Sequence, residues 1–226
     1  MTFSLLARCA RTGQFGAVVT TSAVGVGARV PFARAKVGAV LTQHRTDPRL
    51  GPLGLDLLAR GFTAQQTIDA IAAATPHRAW RQLAVIDARG GTAHFDGASV
   101  RPAISVAHGK DCVGAGNILR NEAVAPTMVA AFESDPALPL ATRLVRAIQA
   151  GEDAGGEVAA VVSAALLVVD SESFPFVDLR VDAHATPLVE LARLWTLYEP
   201  TAEDYVRRAV DPDFAAGYVQ PPPKGV

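Results

Sequence analysis

Residues 1–20, Met1-Thr-Phe-Ser-Leu-Leu-Ala-Arg-Cys-Ala-Arg-Thr-Gly-Gln-Phe-Gly-Ala-Val-Val-Thr20, decide the fold of this chain. Phe3, Leu5 and Ala7 alternate with Ser4, Leu6 and Arg8, a period of two that predicts a strand. Arg11 to Gln14 supply a glycine-containing turn, and Phe15 to Thr20 form a second strand-like run. A chain terminus normally frays, so one that enters a strand at once is tied into a sheet. Removal of Met1 would leave Thr2 first, with a hydroxyl nucleophile and a free α-amine beside it. A terminal amine is one of the few groups able to activate a threonine hydroxyl. The other reading of Thr2 is an ordinary strand residue.

Outward from the hairpin, residues 21–28 are small and glycine-rich but lack the spacing of a dinucleotide fingerprint, and they read as a strand end with tight turns. Ala35 to Gln43 predict a third strand. Leu53 to Arg60 predict a helix closed by Gly61, and Thr63 with Gln66 forms a capping box for a second helix ending near Ala74. Arg81–Asp87 and Thr92–Phe95 flank a glycine turn as a second hairpin, followed by extended pieces at 105–108 and 111–118. Helices are expected at 122–132 and 140–150, strands at 163–169 and 177–181, and helices at 188–198 and 201–210. Ser163 to Val169 are almost wholly apolar, which marks a strand covered on both faces. Strand blocks alternating with helix pairs predict an α+β fold, with mainly antiparallel sheets stacked between helical layers. A single domain over residues 1–200 accounts for this pattern. Residues 201–226 would add a helical extension and a Pro-rich tail.

Composition narrows the function. Half of the 226 residues are hydrophobic, 19% are charged and the formal net charge is −1. No basic block offers to neutralise phosphates, which excludes nucleic acid as a partner. The longest apolar run, Val158 to Val169, is too short to span a bilayer, and the amino terminus lacks a signal-peptide pattern. A cytoplasmic protein without membrane attachment is expected. Few charges over so much apolar surface also suggest a homo-oligomer.

Several polar residues stand out from their surroundings. Asn117, between Gly116 and Ile118, is a neutral donor suited to an oxyanion hole, or else holds a turn. Gln43 ends an apolar strand in the same way. Ser4 shares a strand face with Thr2 and either joins its pocket or hydrogen-bonds within the sheet. Asp178, Arg180, Asp182 and His184 recur every second residue, so a regular strand presents them on one face. An ion-pair network is the leading reading there, over a ligand site. Cys9 and Cys112 read as buried core thiols, with neither disulfide nor metal spacing. His44, His77 and His94 are isolated along the sequence. No cofactor or metal is implied.

Seven segments together resemble the DUF1028 family of bacterial and archaeal proteins. They are Met1 to Arg8; Val24-Gly25 to Gly38-Ala39-Val40 with Thr42-Gln43; Gly51-Pro52-Leu53-Gly54-Leu55; Arg81-Gln82-Leu83; Gly116-Asn117-Ile118-Leu119; Ser163 to Val169; and Asp178 to His184. That family is grouped with the N-terminal nucleophile (Ntn) hydrolases, which implies a four-layer αββα sandwich. The resemblance also implies Thr2 as nucleophile, its α-amine as base, and cleavage of a small amide. Lys36 falls where proteasome-like members place a tuning lysine. The carboxylate they carry at the end of the second strand is replaced by Thr20-Thr21-Ser22, leaving Ser22 as the hydrogen-bond donor in that region. Thr2, Ser22 and Asn117 are thus the candidate catalytic set. Ser4, Lys36, Gln43, Asp178, Arg180 and Asp182 are candidates for a pocket or ion-pair network. The alternative is a non-catalytic protein that binds a small ligand or partner on the same fold, because a fold does not carry its function with it.

Overall fold

The opening hairpin forms as its alternation requires, and the rest of the chain is laid against it. In the computed structural model, which describes residues 1–213, the elements in chain order are β1 (Thr2–Arg8), β2 (Phe15–Thr21), β3 (Pro31–Arg34), β4 (Gly38–His44), α1 (Leu50–Ala59), α2 (Ala64–Ala74), β5 (Arg81–Asp87) and β6 (Thr92–Asp96). They continue with β7 (Ile104–Gly109), β8 (Cys112–Asn117), α3 (Val124–Glu133), α4 (Leu140–Asp153), β9 (Ser163–Val169), β10 (Val177–Val181), α5 (Pro187–Tyr198) and α6 (Ala202–Val210). The expected Pro-rich tail lies outside the described residues.

The architecture is mixed α/β with two antiparallel sheets. One sheet has the order β10-β9-β2-β1-β8-β7, the other β3-β4-β5-β6. β1 is an interior strand of the larger sheet, pairing on one side with β2 (Phe3 opposite Thr20) and on the other with β8 (Thr2 opposite Asn117). The terminus is therefore tied to β8 from its second residue and to β2 from its third.

Alternation along the strands sorts side chains into three buried clusters. Phe3, Leu5 and Ala7 of β1 pack with Met128 and Phe132 of α3 and Leu144 and Ile148 of α4. On the opposite face, Leu6, Ala17 and Val19 meet Leu41, Ala84 and Ile86 of the smaller sheet. Val40, Leu83 and Val85, on the far side of that sheet, pack with Leu55 of α1 and Ile68 and Ile71 of α2. Each such side chain contributes about 1.5–3 kcal/mol when withdrawn from water. Both sheets are thus covered on each face, which is why their central strands read as nearly continuous apolar runs.

Local signals behave as their chemistry dictates. The Thr63–Gln66 capping box forms, with Thr63 accepting from the Gln66 amide and Gln66 reaching back to the Thr63 amide. Gly61 takes φ 89° where α1 ends, a conformation that favours glycine. Several boundaries differ from the sequence expectation by one to three residues, two of them for a clear local reason. The strand expected from Ala35 starts at Gly38, because Lys36 turns through the left-handed region (φ 65°) between β3 and β4. α1 starts at Leu50 with Pro52 in its first turn, where the missing N–H costs nothing. Among the described residues, no helix is long and apolar enough to cross a membrane.

Candidate functional site

The strands bordering the space between the sheets change character along their length. On β1 the residues facing the other sheet run Leu6, Ser4, Thr2; on β4 Ala39, Leu41, Gln43; on β5 Ile86, Ala84, Gln82; on β8 Val113 gives way to Asn117. One end of the inter-sheet space is therefore apolar and the other is built of hydroxyls and amides. Ser4, Gln82 and Asn117 are completely buried there, and Gln43 almost so. Buried polar groups must find partners, and these find one another across the sheets.

Ser4 Oγ donates to Gln43 Oε1 at 2.8 Å, and Gln43 Nε2 donates to Gln82 Oε1 at 2.7 Å. Asn117 Nδ2 donates to the same Gln82 oxygen at 2.8 Å. Gln82 Nε2 in turn donates to Asp96 Oδ1 at 2.8 Å and to the Gly116 carbonyl at 3.0 Å. The Asn117 side-chain oxygen has no hydrogen-bond partner among the described residues. Gln43 and Asn117, singled out because each interrupts an apolar stretch, are thus joined through Gln82, which sequence reasoning passed over as one more strand residue.

The amino terminus sits at the mouth of this polar end. Thr2 is 5% exposed, its Oγ1 lies 3.3 Å from Thr21 Oγ1, and both hydroxyls donate to the Met1 carbonyl. A cavity of about 380 Å³ opens on them, with Arg29, His44 and Arg45 among its other walls. His44 is held at φ 69° against Trp80, stacked on its ring and hydrogen-bonded through Nδ1 to its carbonyl at 3.0 Å. Burial holds the His44 pKa below its ordinary value, so the ring is neutral near pH 7. The loop behind it is anchored by Asp47, which takes a bidentate pair from Arg49 at 2.9 Å and faces Arg81 at 3.4 Å. Arg81 also donates to the Arg45 carbonyl.

Glu157, in the loop between α4 and β9, is the second residue that the sequence did not reveal. It is 2% exposed, accepts from the Ser22 amide at 3.1 Å through one oxygen, and has no partner on the other. Burial pushes its carboxyl up to about 7, against the opposing pull of Ser22 and of the positive amino terminus. Burial also holds that amine below its ordinary value, Glu157 working against the shift and Arg45 and Arg101 adding to it. A carboxyl with its folded pKa raised from 4.5 to about 7 favours folding fully below pH 4.5 and loses that contribution as pH rises through 7. Relative to Glu157→Gln, the wild type is expected to lose up to about 3 kcal/mol of stability across that window. Urea unfolding midpoints of the two proteins, followed against pH, check this. Parallel curves would refute it.

The remaining sequence candidates fall elsewhere. Lys36 is exposed in the β3–β4 turn, at the end of β4 away from Gln43, and is not brought to the cavity. Ser22 reaches the site through Glu157. Arg180 pairs with Asp178 in two hydrogen bonds of 2.8 and 2.9 Å on the edge strand β10, while Asp182 offers its backbone carbonyl to Gly25. His94, isolated in sequence, is not isolated in space: its Nδ1 lies 2.8 Å from His108 Nε2, linking the edge strands β6 and β7. Cys9 and Cys112 are buried, and burial pushes the Cys112 thiol up to about 12. A larger concavity, about 850 Å³, lies at the other end of β1 beside Arg8, Cys9 and Arg143, away from the amide network. Among the described residues no three His, Cys, Asp or Glu side chains gather as metal ligands would.

A family model described as a family of unknown function, DUF1028, matches residues 2–191. The crystal structure of a protein from Silicibacter pomeroyi, assigned to that same family model, is similar to this fold with a TM-score of 0.81. The two chains are 29% identical, over 87% of this one and 85% of the other. No curated protein matches the chain.

Proposed function

We propose, given that this chain belongs to the DUF1028 family of unknown function, that it is an amide hydrolase with Thr2 as its amino-terminal nucleophile, on a four-layer αββα sandwich of the Ntn type. One observation carries the reading. The first strand begins inside the protein, and its first hydroxyl faces a cavity at the polar end of the inter-sheet space.

With Met1 removed, the Thr2 α-amine accepts the proton of Oγ1 as that oxygen attacks the amide carbonyl carbon. The carbon–nitrogen bond then breaks, the departing amine takes the proton, and the acyl group remains as an ester on Thr2. Water, deprotonated by the same amine, hydrolyses the ester to a carboxylic acid and restores the hydroxyl. Thr21 Oγ1, at 3.3 Å from the nucleophile, is the nearest hydroxyl donor for the developing oxyanion. Asn117 lies opposite Thr2 in the β1–β8 register with its amide nitrogen engaged by Gln82, so its role is to position the strand end. Two buried acceptors without partners, Asn117 Oδ1 and Glu157 Oε1, await a donor, and Glu157 exerts the largest charge effect on the terminal amine. The α-amine freed at Thr2 supplies such a donor through its N–H groups while its lone pair stays available as the base.

The alternative is a non-catalytic protein that binds a small ligand on this fold. It is favoured by the Met1 carbonyl, which accepts from both threonine hydroxyls and so keeps them occupied. Intact mass separates the two. The hydrolase reading expects a chain lighter by one methionine residue that gains one acyl group from a hydroxyl-reactive β-lactone. A chain that retains methionine ends the hydrolase reading.

A further inference from the structure

We infer that the cavity at Thr2 selects a small amide bearing a free carboxylate, of the N-acyl amino acid class, held by Arg29 and Arg45. As a statement about substrate, this rests on the hydrolase reading above; as a statement about binding, it stands without it.

The cavity wall is cationic and uncompensated. Arg29 and Arg45 line it, and no carboxylate does. Arg101 stands near enough for its charge, like that of Arg45, to act on the terminal amine. Among the described residues, none of these three arginines forms an ion pair, whereas Arg8, Arg34, Arg49, Arg81, Arg180 and Arg193 all do. Arg29 spends one N–H on the Val24 carbonyl at 2.8 Å, and Arg45 lies over the Trp80 ring at 5.7 Å from its centroid. Both keep most of their planar donor fork free, the geometry that receives a carboxylate in two parallel hydrogen bonds. Glu157, the acid whose charge acts most strongly on the terminal amine, is buried and is not part of the cavity wall. A cleft with one sign of charge concentrates ligands of the other.

The volume limits what fits. About 380 Å³ lies at the small end for ligand pockets, enough for a short acyl group, one amide and one carboxylate. An amide seated with its carbonyl at Thr2 would turn its carboxylate outward, towards the arginines at the rim.

Calorimetric titration of the full chain carrying Thr2→Ala, so that the probe is bound and not turned over, with N-acetylalanine and with its uncharged N-methylamide tests this. The same titrations are made on Arg29→Gln, Arg45→Gln and the double variant, and inorganic phosphate is run as a competitor. The carboxylate is expected to bind about tenfold or more tightly than the amide. That preference should shrink with added salt and vanish in the double variant. Both arginines are exposed, so the variants should melt as the wild type does. Equal affinity for the two probes, no binding of either, a preference that survives the double substitution, or displacement only by phosphate would each overturn the inference. Because binding is read without turnover, a carboxylate preference in a protein that retains methionine would sink the hydrolase reading alone. Hydrolysis without such a preference would sink only this one.

Discussion

Thr2→Ala is expected to abolish amide hydrolysis, lowering kcat/KM by at least about a thousandfold, while the protein melts within a degree or two of wild type. The proposed mechanism routes every turnover through an ester on Thr2 Oγ1, so deleting that oxygen would leave only what binding alone can do. Folding has little at stake in it. The hydroxyl's partners are the Met1 carbonyl, which removal of Met1 would take away, and Thr21 Oγ1 at a long 3.3 Å. The strand itself is fixed by Phe3 and Leu5 and by pairing on both edges. Thr2→Ser keeps the oxygen and amine and should retain activity within roughly tenfold, since only the methyl group that restricts the side-chain torsion is lost. Rates of all three proteins on N-acyl amino acids, each checked for methionine removal, decide the matter. An alanine variant as active as wild type would show that Thr2 is a bystander.

Gln82→Ala should be the most destabilising single change at the site, by about 3–5 kcal/mol in urea unfolding. One amide serves four partners: Gln43 and Asn117 donate to its oxygen, and its nitrogen donates to Asp96 and Gly116. Removing it strands two buried donors and a carbonyl where water does not reach. Gln82→Leu makes the argument sharper, because leucine nearly restores the volume and none of the hydrogen bonds. If the network matters, leucine should be no better than alanine; a leucine variant as stable as wild type would mean the amides contribute nothing net.

How much of this was legible depended on the range of the interaction involved. The first hairpin, the capping box and the apolar strand at Ser163 are written in neighbouring residues, and they appear where expected. β3 was not, because four residues opening on Pro31 and including Arg34 carry no alternation strong enough to read. Gln43 and Asn117 declared themselves as polar residues within apolar runs. Gln82 did not, because it lies near the start of its strand beside Arg81, and its meaning comes from residues 14 to 39 positions away. Glu157 was harder still. It sits in a glycine-bounded loop, and only the fold brings it beside Ser22 and the terminus. The Asp178–Arg180 pair follows the strand spacing, whereas Asp182 gives its carbonyl to Gly25 and acts on Arg180 through its charge without a hydrogen bond.

The crossing of amides between the sheets bears on a problem that the apolar contacts leave open. A strand displaced by one residue exchanges its two faces, which in sheets covered on both sides only trades one aliphatic set for another. Displaced by two, it presents valine or alanine where leucine stood, and an aliphatic interior resists that only weakly. Gln43 and Gln82 face each other across β4 and β5, and Ser4 ties the pair to the other sheet. After a two-residue slip, Gln43 would stand opposite Ala84 with no acceptor within reach. The few side chains that bridge the polar end of the inter-sheet space therefore act as the alignment pin of the two sheets, and a chain that closes on the wrong rung is left holding an unmatched amide.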